Sequence, residues 1–162
     1  IDVCRELRAA PGMDSVVIAF LTARSEDYSH IAGFEAGADD YINKPIKPRV
    51  LLSRIKALLR RNPGGYESSA VDVGKLRIDR ESYLVFKEGK EISLPRKEFE
   101  LLSILASKPG KVFGRDEILN KVWGDEVVVG DRTIDVHVRK LREKLGEEFI
   151  RTIKGVGYKF EF

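Results

Sequence analysis

The chain has 162 residues, 43% of them hydrophobic and 34% charged, which is the balance of a soluble globular protein with one or two domains. Its one cysteine, Cys4, excludes an internal disulfide bond and fits a reducing cytoplasm. The longest strictly apolar run, Val16 to Leu21, is far too short to span a membrane, and we expect no secretory signal. A net charge of +3 only weakly supports a nucleic-acid partner, so the distribution of charge has to decide.

Residues 1–61 alternate between helical and strand-like patterns. The run from Val16 to Leu21 is apolar throughout, as in a strand buried on both faces of a parallel sheet. The predicted helices are 2–10, 26–36, ending at Gly37, and 47–61, and the second predicted strand is 41–43. The apolar residues expected to point inward from the last helix are Val50, Leu51, Ile55, Leu58 and Leu59. This alternation predicts a doubly wound, flavodoxin-like α/β sheet.

Residues 62–69 are rich in Gly and Ser and form a predicted linker to a second domain over 70–162. Strands are predicted near 76–78, 83–86 and 91–94, followed by helices at 96–107, 115–123 and 132–145. Pro95 lies near the start of the first helix, where its missing N–H does no harm. Gly114 and Asp131 are candidate caps for the other two helices. Strands followed by helices predict an α+β domain.

The helix at 132–145 carries the most informative pattern in the chain. Ile134, Val138, Leu141 and Leu145 fall on one stripe and predict a core face. The other faces carry Arg132, Thr133, Val136, His137, Arg139, Lys140 and Lys144, which are polar or cationic except for Val136. From residue 132 to 159 there are eight Lys and Arg against four Asp and Glu. A helix that packs on one side and presents cations on the other suits the major groove of DNA, although a solvated surface helix has the same pattern.

Residues 149–153 and 158–162 predict a β-hairpin closed by Lys154, Gly155, Val156 and Gly157. The two glycines do not predict a nucleotide-binding loop, because a strand and not a helix follows them. A hairpin directly after a basic helix is typical of the wing of a winged helix.

At this point a family can be named, because residues from about 70 to 162 closely resemble the winged helix-turn-helix DNA-binding domain of OmpR/PhoB-type response regulators. The matching segments are Glu98 to Leu102, Val122 to Gly124, Asp131 to Leu145 and Gly155 to Tyr158. Members of that family more often carry Ser or Thr at the position of Pro95. The resemblance implies a sequence-specific, DNA-binding transcriptional regulator of a two-component phosphorelay.

Residues 1–61 resemble the C-terminal part of the receiver domain of the same family, through Leu21 to Ala23, Gly37 to Tyr41 and Lys44-Pro45. By this resemblance Thr22 bonds the phosphoryl group, Lys44 pairs with its charge, and Tyr41 is the aromatic switch. Thr22 and Lys44 each follow a predicted strand, and sites in doubly wound sheets lie at the carboxyl ends of strands. The Lys44-Pro45 peptide bond is a candidate for the cis form.

In that family the phosphoacceptor Asp and the acidic pair that binds Mg²⁺ lie upstream of Ile1. We therefore expect a receiver fragment that needs an upstream half to accept phosphate, with Mg²⁺ implied for the complete receiver and no cofactor in this chain. The resemblance also implies a homodimer on activation, with charged interface residues Asp39, Asp40, Arg54 and Arg61. Two further charged positions of that interface are His30 and Val50 here, so one ion pair is missing.

For DNA the resemblance implies phosphate contacts by Thr133, His137 and Trp123, although Trp123 could equally be a core residue. Arg132 and Arg142 are expected to face the DNA backbone, and the candidates for base contacts are Val136, Arg139 and Lys140. Lys154 at the tip of the wing is placed to enter a minor groove, and Thr152 and Tyr158 support the tip or contact phosphate.

Three functions remain to be distinguished. The first is a phosphorylation-controlled transcription factor whose partners are double-stranded DNA, a sensor histidine kinase and RNA polymerase. By the resemblance, the loop 125–130 faces either RNA polymerase or the neighbouring protomer. The second is a DNA-binding regulator or adaptor that dimerises without phosphorylation. The third is an enzyme, which is disfavoured because His30 and His137 are the only histidines and Cys4 has no base near it in sequence.

Overall fold

The computed structural model describes residues 1–59, 70–124 and 132–162. The first part, which we call the receiver segment (residues 1–59), contains α1 (Asp2–Ala9), β1 (Ala19–Thr22), α2 (Asp27–Glu35), β2 (Asp40–Asn43) and α3 (Pro48–Leu59). The two strands pair in parallel, with Ala19 opposite Asp40 and Thr22 opposite Asn43. Gly37 has a φ of +103° just after α2, as expected of a glycine that ends a helix.

The receiver segment is less buried than the sequence predicts. Strand β1 begins three residues later than expected, and Val16 and Leu21 are 40% and 44% exposed, because β1 has one strand neighbour among the described residues. On α3 the expectation that Val50, Ile55 and Leu59 point inward is wrong: all three are exposed, whereas Arg54 is buried. Arg54 turns inward because it pairs with the buried Asp40 of β2.

The second part, the winged-helix region (residues 70–162), begins with a four-stranded antiparallel sheet of β3 (Ala70–Val73), β4 (Leu76–Asp79), β5 (Leu84–Lys87) and β6 (Lys90–Ile92). Helix α4 (Arg96–Ser107), β7 (Val112–Gly114), α5 (Arg115–Val122) and α6 (Arg132–Leu145) follow. The hairpin of β8 (Ile150–Ile153) and β9 (Gly157–Phe160) ends the region. Strand β7 joins the edge of this hairpin, giving the order β7-β9-β8. The sequence pattern predicted neither β3 nor β7.

The core of the winged-helix region lies between α4, α5, α6 and the two sheets. The stripe predicted for α6 is confirmed, since Ile134, Val138, Leu141 and Leu145 are each at most 1% exposed. The hairpin requires its glycines for two different reasons. Gly155 has a φ of +75° in the turn, and a side chain at Gly157 would overlap the backbone carbonyl of Phe113 on β7.

The two parts of the chain touch each other. Helix α2 of the receiver segment packs against α6 of the winged-helix region, and Asp39 lies against the start of α4 and the end of α5. Within the described ranges, no helix has both the length and the apolar character needed to cross a membrane.

Candidate nucleic-acid interface

Helix α6 and the hairpin bring together most of the residues predicted to contact DNA. Arg132, Arg139, Thr152 and Lys154 are exposed, so their side chains are accessible to a ligand. Arg142 is engaged within the protein: its Nη2 donates to the Ile150 carbonyl at 2.7 Å and to Thr152 Oγ1 at 2.9 Å. Arg142 therefore fixes β8 against α6.

A second set of hydrogen bonds joins the hairpin to α5 and α6, and no sequence pattern predicts it. The Asp135 carboxylate on α6 accepts hydrogen bonds from the Tyr158 hydroxyl on β9 and from the Arg115 guanidinium at the start of α5. The Arg115 guanidinium also lies 5.2 Å from the centre of the Tyr158 ring. Tyr158 is 4% exposed, which fits a supporting role in the hairpin, one of the two roles predicted for it. The three residues are far apart in sequence, and no motif or period connects them.

Four of the predicted DNA contacts are buried: Trp123, Thr133, Val136 and His137 are 2%, 5%, 8% and 3% exposed. Trp123 therefore occupies the core position that was one of its two predicted alternatives, and the expectation of an exposed surface is wrong in this arrangement for Thr133, Val136 and His137, which lie beneath α2. The Phe34 ring of α2 meets the His137 ring at 5.7 Å, edge to face. Burial lowers the pKa of His137 to about 4, so the imidazole is neutral at pH 7, and its Nδ1 bonds the Thr133 carbonyl at 2.8 Å.

Two candidates for base contacts are also held by α2. The Arg139 guanidinium lies 3.0 Å from the Glu35 carboxylate, and Lys140 Nζ donates to the Glu35 backbone carbonyl. Burial lowers the pKa of Lys140. Glu35 at the end of α2 thus accepts bonds from two cations that the sequence assigned to DNA.

Asp39 completes the contact. Its backbone carbonyl accepts a hydrogen bond from Trp123 Nε1 at 2.9 Å, and its Oδ1 accepts one from the backbone N–H of Lys97 at 3.3 Å. Its Oδ2 accepts from the Ile18 N–H at 2.7 Å and lies 2.8 Å from Arg8. We call this packing of Phe34, Glu35 and Asp39 against Lys97, Trp123 and α6 the interdomain contact.

The residues predicted to sense a phosphoryl group lie close together. Thr22 ends β1, and the backbone N–H of Lys44 donates to the Thr22 carbonyl at 2.6 Å, while the Lys44 side chain is exposed. The Lys44-Pro45 bond is cis, which confirms that prediction. Tyr41 is 5% exposed, with its ring 5.6 Å from Phe20 and 4.1 Å from His30.

The residues predicted for a dimer interface are paired inside this chain. Arg54 donates to both oxygens of Asp40, at 2.9 and 3.1 Å, and both side chains are buried. Asp39 is 1% exposed beneath the winged-helix region. In this arrangement Asp39, Asp40 and Arg54 form ion pairs within the chain, and their part in a dimer stays a prediction. Arg61, the linker 62–69 and the loop 125–130 lie outside the described residues.

Metal ligands do not converge in the described part of the chain: no group of three His, Cys, Asp or Glu side chains could hold an ion there. These residues by themselves do not fit a Mg²⁺ site.

Two family models match the chain. Residues 1–56 match the response regulator receiver domain, and residues 89–160 match the C-terminal domain of transcriptional regulatory proteins. The chain is 41% identical, over 99% of its length and 73% of the relative, to the phosphate regulon transcriptional regulatory protein PhoB of Rhizobium meliloti.

Solved structures give the same picture. The response regulator DrrB, an OmpR/PhoB homologue of Thermotoga maritima, is 38% identical, with a TM-score of 0.55 over 99% of this chain and 72% of that one. The Klebsiella pneumoniae RstA DNA-binding domain, solved in complex with the RstA box, is 29% identical, with a TM-score of 0.54 over 58% of this chain and 98% of that one.

Proposed function

Because this chain belongs to the OmpR/PhoB-type response regulators of two-component systems, we propose that its receiver segment regulates DNA binding by covering the reading helix. Proteins of this kind are DNA-binding transcriptional regulators controlled by phosphorylation, and the chain is one of them. The observation that carries the proposal is the burial of Trp123, Thr133, Val136 and His137 by α2 and Asp39. A duplex and the interdomain contact need the same face of α6, so only one of them can occupy it.

In the open state we assign the base contacts to Val136, Arg139 and Lys140. A cation on α6 reads guanine O6 and N7 in the major groove, and Val136 contacts a thymine methyl group. Arg132, Thr133 and His137 bond phosphate oxygens, which set the register of the helix without reading sequence. Lys154 enters the minor groove from the hairpin turn, with Thr152 and Tyr158 beside it. Trp123 reaches phosphate only after it leaves Asp39.

Thr22, Lys44 and Tyr41 are the proposed link to phosphorylation. A hydroxyl group and a cation at the ends of adjacent parallel strands are suited to bind phosphoryl oxygens. The Tyr41 ring lies against the ring of His30 on α2, the helix that covers α6, so a movement of Tyr41 can be passed through α2 to the interdomain contact. Mg²⁺ remains an expectation for the complete receiver, and the binding of DNA by this chain does not require it.

The proposed partners are double-stranded DNA, a sensor histidine kinase, RNA polymerase and a second copy of the chain joined on activation through Asp39, Asp40, Arg54 and Arg61. We place the protein in the cytoplasm and assign it no enzymatic activity. The alternative is a regulator that opens and dimerises without phosphorylation. In a protein with the complete receiver domain, loss of the effect of a phosphodonor on DNA binding in Thr22→Ala supports the first function. DNA binding that never depends on a phosphodonor supports the alternative.

The test compares the whole chain with a polypeptide of residues 69–162. Both are used to select duplexes from a random-sequence pool long enough for two half-sites about 10 base pairs apart. We expect both to select the same tandem sites and the whole chain to bind more weakly. If residues 69–162 select no sequence, the proposed DNA-binding function is wrong; if the whole chain binds equally well, the proposed regulation is wrong.

Lys140→Ala tests the assignment of base contacts. We expect weaker binding by about 1–3 kcal/mol and relaxed preference at one base position, because one bidentate contact to a base is lost. Lys90→Ala, which removes an exposed lysine on β6, is the matched control. A uniform loss of affinity over all sequences would identify Lys140 as a phosphate contact.

A further inference from the structure

Helix α4 begins without a cap of its own. Pro95 occupies the N-cap position, with φ −54° and ψ 152°, and its side chain makes no capping hydrogen bond. The side chain of an N-cap residue normally accepts a hydrogen bond from the backbone N–H of the second or third helical residue. Proline has no acceptor on its side chain, so the first turn of α4 depends on an oxygen from elsewhere.

The receiver segment supplies that oxygen. Asp39 Oδ1 accepts a hydrogen bond from the N–H of Lys97, the second residue of α4, at 3.3 Å. That N–H is one of the two that a local cap would satisfy. The carboxylate also places negative charge at the positive end of the helix dipole. Lys97 and Asp39 are 58 positions apart in the chain, so this cap exists only while the two regions touch.

Glu98 shows a second consequence of Pro95. In a capping box, the glutamate at the third helical position accepts a hydrogen bond from the backbone N–H of the N-cap residue. Proline has no such N–H. Glu98 instead accepts a hydrogen bond at 2.7 Å from Lys144 in the last turn of α6. Neither half of a capping box can form at the start of α4, which leaves this helix end open to Asp39.

We propose that Asp39 acts as an interdomain N-cap, so that Pro95 makes the first turn of α4 depend on closure of the receiver segment. This inference rests on the regulation proposed above, and it names Asp39 and Pro95 as the residues that set how strongly the closed state is favoured. In the open state α4 loses its cap, which favours closure. The same aspartate holds Trp123 through its backbone carbonyl, so release of Asp39 uncaps α4 and frees Trp123 in one step.

Substitution of Pro95 tests this without disturbing the bonds of Asp39 to Arg8 and Ile18. Pro95→Ser gives α4 its own cap in both the open and the closed state. The cap from Asp39 should then no longer favour the closed state. A cap is equivalent to about 1 kcal/mol, so we expect the affinity of the whole chain for a selected duplex to rise by up to about fivefold. Pro95→Ala is the matched control, since it changes the same position but supplies no acceptor, and it should bind like the parent. Equal affinities of the Ser and Ala variants would overturn the inference.

Hydrogen exchange at the Lys97 amide gives a measurement that needs no DNA. The amide should exchange slowly in the parent and faster in Asp39→Ala, and Pro95→Ser should restore slow exchange in the double variant. Unchanged exchange in Asp39→Ala would also overturn the inference. If residues 69–162 bind as tightly as the whole chain while exchange follows this pattern, the proposed regulation fails but the cap stands.

Discussion

The two regions of the chain bury their apolar side chains to very different extents. In the winged-helix region Ile134, Leu141 and Phe160 are fully buried. In the receiver segment Leu52 and Leu59 are 52% and 59% exposed. A sheet with two strands covers little apolar surface, whereas the two sheets of the winged-helix region close over α4, α5 and α6. We therefore expect most of the stability to come from the winged-helix region, whereas the receiver segment acts through the surface that it buries on that region.

The largest expected effect comes from separating the regions. A polypeptide of residues 69–162 should unfold cooperatively, because its strands, helices and core are its own. Residues 1–61 alone should show no sharp transition. Each Å² of apolar surface that stays exposed loses about 25 cal/mol of stabilisation, and unpaired strand edges favour aggregation. Thermal unfolding followed by circular dichroism measures both. A sharp monomeric transition of residues 1–61 would contradict the comparison.

Within the whole chain, Leu141→Ala and Leu52→Ala should differ strongly. Leu141 is 0% exposed, so its truncation leaves a cavity and should lower the free energy of unfolding by about 2–5 kcal/mol. Leu52 is half exposed, and its truncation should cost less than about 1 kcal/mol. Urea unfolding followed by circular dichroism, which reports the helices of both regions, measures both variants. Equal losses would mean that the receiver segment is as tightly packed as the winged-helix region.

The fold could be predicted well from the sequence where the pattern was local. Helices α4 and α6 were predicted to the residue, because the apolar period of each runs unbroken between its ends. Strand β7 was missed, since three residues carry no period, and it forms only because β9 pairs with it. Val50, Ile55 and Leu59 were misassigned because the pairing of Arg54 with Asp40 sets the orientation of α3, and a hydrophobicity pattern does not contain that pairing.

The sequence nominates candidate site residues, but their burial could not be predicted from it. The sequence indicated Thr133, Val136 and His137 through the pattern of α6, and the family resemblance assigned Trp123 to phosphate. Neither the helix pattern nor the resemblance could show that Phe34, Glu35 and Asp39 cover these residues. The contact joins residues that are far apart in the chain: 84 positions separate Asp39 from Trp123, and 104 separate Glu35 from Arg139. Such contacts follow from the packing of two domains, and no local motif encodes them.

Acidification should weaken the interdomain contact through His137. The pKa of His137 is lowered to about 4 by burial, against about 6.5 when exposed. A depressed pKa means that the contact has its full stability above about pH 6.5 and loses it as the pH falls towards 4. Between pH 7.5 and 5.5 we expect the open fraction to rise by up to about tenfold.

The charged groups facing His137 are Asp39, which favours its protonation, and Lys97 and Lys140, which oppose it. Burial raises the pKa of Asp39, so protonation of Asp39 in the closed state acts in the opposite sense to protonation of His137. The wavelength of maximum emission of Trp123 reports opening, since the indole leaves its buried bond to Asp39. His137→Gln is the control and should abolish the shift. A shift that persists in that variant would assign the pH dependence to another group.

The smallest expected effect lies at the rim of the interdomain contact. Glu35→Lys replaces the partner of Arg139 with a like charge and leaves untouched the Glu35 carbonyl that binds Lys140. Both side chains are partly exposed, and such pairs contribute about 0–1 kcal/mol, so the whole chain should bind a selected duplex about two- to fivefold more tightly. Glu6→Lys on α1 makes the same charge change at an exposed position away from α6 and should have less effect. If Glu6→Lys raises the affinity as much as Glu35→Lys, the gain is a general electrostatic attraction to DNA, and the ion pair of Glu35 with Arg139 does not hold the regions together.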